Sequence, residues 1–253
     1  ALNTQNLPDP TIKKPSSYMN VKLYTGTSAT QSITGLGFSP DLVWIKNRGS
    51  TNSHALFDSV RGAGYKLSSN ETSAQLDNTA NFTAFTSDGF TVASDGGETN
   101  LSSNTYVAWC WDESATPGFD IVTYSGNGAT PRSISHSLGV SPSLVIVKNR
   151  TTAGYDWPCY HTSLGNGTVI FLQLTSASDL ISNRAYGGVD SVSSTTFTVK
   201  SGATSGGNVN ANGDNYVAYL WSEVAGFSKF GSYVGNGSSD GPFCFCGFKA
   251  RWI

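Results

Sequence analysis

The residues of this 253-residue chain that could do chemistry come in loose sets. His54, Asp58 and Arg61 fall within eight positions of one another, close enough for an acid–base pair or for a local ion pair. The surrounding pattern favours the ion pair, in a loop or on an edge strand. Cys159 and His161 stand two apart, so on a strand they would share a face. No third group is placed to orient the imidazole as the base of a thiol nucleophile. Cys244-Phe-Cys246 would put two thiols on one strand face, without the second Cys or His pair of a zinc site. Asn210-Ala-Asn212-Gly-Asp214-Asn215 starts like a calcium loop, yet Trp221 holds the place of the bidentate Glu, so the stretch reads as a turn. Asp88, Asp95, Asp179 and Asp190 each sit beside Gly or Ser, where a short carboxylate serves a turn. Tyr155, Asp156 and Trp157 follow Thr151-Thr-Ala-Gly154 in a loop. Aromatic planes beside a carboxylate can stack on sugar rings while the acceptor takes a hydroxyl, so these three are the candidate glycan-binding residues, with a Trp157 folded back onto the core as the competing reading. No catalytic residue, metal ligand or cofactor site emerges, and a non-enzymatic protein is expected.

The elements that must carry these residues show themselves by internal similarity. Tyr24-Thr-Gly26 recurs as Tyr124-Ser-Gly126, an offset of 100, and Lys46-Asn-Arg48 as Lys148-Asn-Arg150, an offset of 102. Phe90-Thr-Val92 matches Phe197-Thr-Val199 at 107, and Tyr106-Val-Ala-Trp109 matches Tyr216-Val-Ala-Tyr219 at 110. An offset that only grows is what lengthening loops produce when strands keep their order. The expected organisation is a linker from an upstream domain at 1–20, one β repeat at 21–116, a second at 117–226, and the start of a truncated third at 227–253. Tyr233-Val-Gly-Asn-Gly237 opens that third stretch, and Trp252-Ile253 falls where the Leu42-Val-Trp-Ile45 run begins. On this reading the sequence is cut from something longer at both ends.

Short β-branched and aromatic runs, at Leu42 to Lys46 and Leu144 to Lys148, follow Ser-Pro, which steers the entry away from helix. Phe82 to Phe85 and Phe90 to Val92 flank Thr86-Ser-Asp-Gly89, a hairpin signal in which Asp-Gly would supply a positive-φ turn. No apolar 3,4 spacing persists for eleven residues, so no long helix is expected. The fold class is all-β, with tandem antiparallel sandwich or jelly-roll-like units of seven or eight strands each. Trp44, Trp109, Trp111 and Trp221 lie in the strand runs as core, and Cys110, opposite Leu220 in the alignment, as a small buried apolar group.

Only 13% of residues are charged, 15 basic against 17 acidic, about half the usual share. A surface of Ser, Thr, Asn and Gly follows, with no basic footprint for nucleic acid and no apolar run or basic amphipathic stretch for a membrane.

The Tyr-x-Gly opening, Phe38-Ser-Pro-Asp-Leu-Val-Trp-Ile-Lys-Asn-Arg48, His54-Ala-Leu-Phe-Asp-Ser-Val-Arg-Gly62, Phe85-Thr-Ser-Asp-Gly-Phe90 and Tyr106-Val-Ala-Trp-Cys-Trp111 form one set. Over about residues 6–253 they resemble a repeat of unassigned function in tail-fibre-like proteins of marine bacteriophages. Tyr160-His-Thr-Ser-Leu-Gly165 resembles a segment of that family's second copy, and Asn6-Leu-Pro-Asp-Pro-Thr11 the linker that leaves its upstream lectin-like sandwich. The resemblance implies a structural and adhesive module of a tail fibre or other virion appendage, extracellular at the virion surface. Its implied partners are copies of itself, a trimer by analogy with phage fibres, other virion proteins and a host surface glycan. The alternatives are a polysaccharide-cleaving domain of such an appendage and a secreted bacterial fibre or matrix protein.

Overall fold

A computed structural model describes residues 10–93, 97–250 and 252–253. The chain is all-β, and every strand pairing is antiparallel. Among the described residues the helices are three short 3-10 turns, at Pro15–Ser17, Thr162–Leu164 and Ile181–Asn183. The first half holds β1 (Met19–Thr25), β2 (Gln31–Ile33), β3 (Leu42–Asn47), β4 (Ala55–Asp58), β5 (Tyr65–Lys66), β6 (Leu76–Asp77), β7 (Phe82–Thr86), β8 (Gly89–Val92) and β9 (Thr105–Trp111). The second holds β10 (Phe119–Ser125), β11 (Arg132–Ser135), β12 (Leu144–Asn149), β13 (Pro158–His161), β14 (Thr168–Phe171), β15 (Asp179–Leu180), β16 (Gly188–Val192), β17 (Thr196–Lys200) and β18 (Asn215–Trp221). Among the described residues each half thus has nine strands, more than the seven or eight expected, because two-residue strands such as β5 and β15 leave no periodic trace in the sequence.

Two large sheets lie at the centre, in the orders β1-β9-β3-β4 and β10-β18-β12-β13-β14-β15. Two three-stranded sheets, β2-β8-β7 and β11-β17-β16, cover their outer faces. Alternation along each central strand divides its side chains between two cores. Tyr106, Ala108 and Cys110 of β9 face Phe82, Phe90 and Val92 of the outer sheet. Tyr216, Ala218 and Leu220 of β18 face Phe197 and Val199. The opposite faces meet in a third core, where Leu42, Trp44 and Trp111 pack against Ile146, Tyr219 and Trp221. Both central sheets are therefore covered on both sides, which is why β3 and β12 read as nearly unbroken apolar runs. Each large side chain buried there stabilises the fold by about 1.5–3 kcal/mol.

The strand registers of the two halves run in parallel. β1 meets β9 at Tyr24↔Tyr106 and β10 meets β18 at Tyr124↔Tyr216. Trp44 faces Trp109 across β3 and β9, as Ile146 faces Tyr219 across β12 and β18. The two tyrosine pairs stack with centroids 5.1 Å apart in both places. The glycine of each Tyr-x-Gly has a local cause: a Cβ on Gly26 would come within 2.2 Å of Leu101 O, and one on Gly126 within 1.9 Å of Ala211 O. That loop-to-strand approach admits hydrogen alone.

Three expectations need correction. The β7–β8 hairpin forms, with Thr86 facing Gly89, but Gly89 has no positive φ. Glycine is needed there because a Cβ would strike Ile33 O at 1.8 Å, while Asp88 shapes the turn by accepting from Gly35 N and Gly37 N at 2.8 and 2.6 Å. Residues 229–253 hold no strand among those described, so Cys244 and Cys246 share no strand face. The linker expected at 1–20 is partly tied down: Ile12 is buried, Thr11 N donates to Ala225 O, and β1 already begins at Met19. Asp95 and residues 1–9 lie outside the described residues.

Candidate functional site

The first set of candidate groups separates into two structural contacts. Asp58 and Arg61 form a fully buried ion pair, Nε to Oδ2 2.5 Å, where edge strand β4 turns out of its sheet. The Tyr219 hydroxyl donates to the same Asp58 oxygen at 2.7 Å, across the shared core. Arg61 also donates to Tyr65 O and Leu56 O, so both charges are fully bonded, as burial demands. His54 stands apart from them and accepts from the Trp44 indole through Nδ1 at 2.8 Å. Cys159 lies in the shared core, and burial pushes its thiol up to about 12. That keeps it a thiol rather than a nucleophile, and His161 caps the following 3-10 turn by accepting from Ser163 N. Among the described residues no group of three or more His, Cys, Asp or Glu could hold a metal ion. Asn210 spends its amide on Ala129 O and Asn127, and Asp214 accepts from Asn149 and Thr152, so this stretch is a bonded turn.

The three glycan candidates do not make one stacking surface. Trp157 is 0% exposed. It precedes Pro158 at the start of β13, and alternation puts it on the same inward face as Cys159. Its indole N–H donates to Glu71 O of the first half at 2.9 Å, and Lys148 Nζ lies 5.7 Å from the ring centroid. Asp156 is half-buried and accepts from Gln173 Nε2 at 2.6 Å; burial raises its carboxyl. Tyr155 is half-buried like Asp156, and it meets the more exposed Tyr186 edge-to-face at 5.1 Å. Tyr186 comes from an Ala-Tyr-Gly-Gly loop and carries no signal that could link it to Tyr155 by sequence. Two features seat this pair. The Tyr155 ring lies against Gly207, where a Cβ would come within 2.0 Å of it, and Lys148 Nζ donates to Tyr155 O at 2.6 Å. Burial lowers the Lys148 ammonium to about 8; a neutral amine still has two hydrogens for its two carbonyl partners, Tyr155 O and Thr72 O.

Two further features escaped the sequence. In the connection between the halves, Glu113 accepts from Ile121 N while its own N–H donates to Asp41. Burial, with Asp120 and Asp41 nearby, pushes the Glu113 carboxyl up to about 7. At one end of the shared core a cavity of about 640 Å³ is lined by Trp111, Phe119, Trp221, His161, Phe230 and Trp252, among others. Aromatic walls of that size suit an apolar occupant.

A family model described as a domain of unknown function (DUF7483) matches residues 14–253. No curated protein and no solved structure matches the chain.

Proposed function

For this chain, which belongs to the DUF7483 family of unknown function, we propose a role as a structural and adhesive module of a virion appendage of the bacteriophage tail-fibre kind. Two tandem, jelly-roll-like β units, one unit built twice, make up its body. The side-chain networks support that reading. Asn100 accepts from Thr27 N and Gln31 and donates to Ala29 O; Asn210 accepts from Asn127 N and Arg132 and donates to Ala129 O. Tyr24 donates to Thr99 O at 2.6 Å and Tyr124 to Val209 O at 2.7 Å.

The observation that carries the structural role is the burial of both central sheets on both faces, which stacks the units in series through one shared core. A serial stack beneath a surface with few charges is suited to a rigid extracellular rod, whose partners would be copies of itself, most simply three, and other virion proteins. Adhesion is assigned to the Tyr155–Tyr186 pair, with Asp156 beside it and Trp157 beneath as packing. Two tyrosine edges can hold sugar rings by apolar contact, which depends little on salt.

A glycan array probed with the purified chain tests the adhesive part. Retention of one or more glycans in high salt is expected, with Tyr186→Ala weakening it at least tenfold, about 1.4 kcal/mol, at unchanged thermal stability. If the unaltered chain retains no glycan, this surface is not adhesive. Light scattering tests the assembly, for which trimers are expected and monomers alone at micromolar concentration would contradict it.

A further inference from the structure

The described residues of 229–253 carry no strand, yet they expose Tyr233, Val234, Phe243, Phe245, Trp252 and Ile253, with Val234 87% accessible. So many apolar side chains on one short stretch mark an interaction surface. What it fits is written in its sequence and in the turn that leads to it. An isolated bridge, Ser114↔Phe119, closes the turn before β10, and a second, Val224↔Ser228, closes a turn one residue shorter before residue 229. Tyr233-Val-Gly235 then stands where Tyr124-Ser-Gly126 stands in β10 and Tyr24-Thr-Gly26 in β1. Those two strands are completed by β18 and β9, with Tyr opposite Tyr.

The glycine marks the missing partner. Gly26 and Gly126 each make room for a carbonyl in the loop that leads into the completing strand. A Cβ on Gly235 would meet nothing within 4 Å. β9 and β18 cannot fill that space, since each is already paired on both edges within its own sheet.

We propose that residues 229–235 are the acceptor for a further β-strand of the Tyr-Val-Ala-aromatic type, pairing antiparallel with its Tyr opposite Tyr233. This rests on the two-unit reading given above. The neighbouring cavity fits the same partner. Leu42 and Leu144, which open β3 and β12, both pack on the shared core. Trp252 occupies the matching place in the third stretch and already lies against Trp111 at that core's open end, centroids 5.5 Å apart. A sheet begun on 229–235 would present Trp252 as the other sheets present their leucines. Strand addition of this kind takes its affinity from main-chain bonds and its register from alternate side chains.

The test uses the whole chain and a labelled, solubility-tagged peptide with the sequence of residues 210–222, which carries the Ala211 carbonyl that Gly126 makes room for, against a scrambled peptide of the same composition. Saturable binding of the ordered peptide is expected, with slowed hydrogen exchange at Tyr233 and Val234. Gly235→Val, placed in open space, leaves the fold's stability unchanged and weakens binding at least tenfold, because its side chain occupies the carbonyl's position. No saturable binding, equal binding of the scrambled peptide, or indifference to Gly235→Val overturns the proposal. Matched losses at Tyr106 and Tyr216 test the two-unit reading separately, so the failure of one leaves the other standing.

Discussion

At the register position that faces the first residue of the central apolar strand, the first half carries Asp58 and the second His161. Four residues earlier the first half has His54 and the second Trp157. The frames around these positions correspond: Asn47 donates to Gly97 O at 2.7 Å and Asn149 to Gly207 O at 2.9 Å. What differs is how each half grips the other. The first extends a buried charge, Asp58, and its Arg61 to the Tyr219 hydroxyl. The second inserts an indole, Trp157, against Glu71 O. The loop that joins β5 to β6 completes the contact, with Thr72 O accepting from Gly154 N and Gln75 N donating to Arg150 O. The frame is common to both halves, while their mutual contact is built from the residues that differ.

Removing the charge is the strongest way to break this comparison. Asp58→Ala leaves Arg61 buried without a counter-ion and is expected to cost about 3–5 kcal/mol. His161→Ala, at the matching place, is expected to stay within about 1 kcal/mol. Denaturant unfolding of the two variants measures both, and similar losses would mean the contact is symmetric after all.

Trp157→Ala empties the other half of the grip and is expected to cost about 3–4 kcal/mol. Its counterpart His54→Ala loses one hydrogen bond from Trp44, about 1 kcal/mol. The same unfolding curves separate the two. A Trp157→Ala variant of native stability with weakened glycan binding would return that residue to the surface.

A smaller effect comes from the connection between the halves. Glu113 is held near 7 in the native state and lies near 4.5 when unfolded, so between those values the native chain keeps a proton that the unfolded chain has released. Stability contributed by this group is whole below about pH 4.5 and is lost as pH rises through 7. After solvent screening the expected loss is about 1–2 kcal/mol, and Glu113→Gln is expected to flatten it. Unfolding free energies at pH 5 and pH 8 decide this, and an equal slope in both proteins would remove Glu113 as its source.

The all-β class and the tryptophan core were legible in the sequence because alternation and flanking turn residues leave marks within a few positions. The Tyr-x-Gly motif showed in the sequence as a recurrence, while its cause, the Leu101 and Ala211 carbonyls, is brought up by folding. Of the two readings open for Trp157, a stacking surface and an aromatic folded onto the core, the second holds because the strand starting at Pro158 sets its direction. Tyr186 and Glu113 owe their roles to neighbours brought up by folding, 31 residues away for the Tyr155 partner and 72 for Asp41. Asp88-Gly89 gave the right hairpin for the wrong reason, since the crowding comes from Ile33 on another strand.

The central claim, one β unit built twice on a shared core, is tested most directly by equilibrium unfolding of Tyr106→Phe and Tyr216→Phe. Each hydroxyl accepts one backbone N–H, from Leu101 or Ala211, and donates to one carbonyl, Gly97 O or Gly207 O. The account predicts one cooperative transition for both variants, with losses of about 1–3 kcal/mol that agree within about 0.5 kcal/mol. Two separated transitions, or a substantial loss in one half and none in the other, would contradict it.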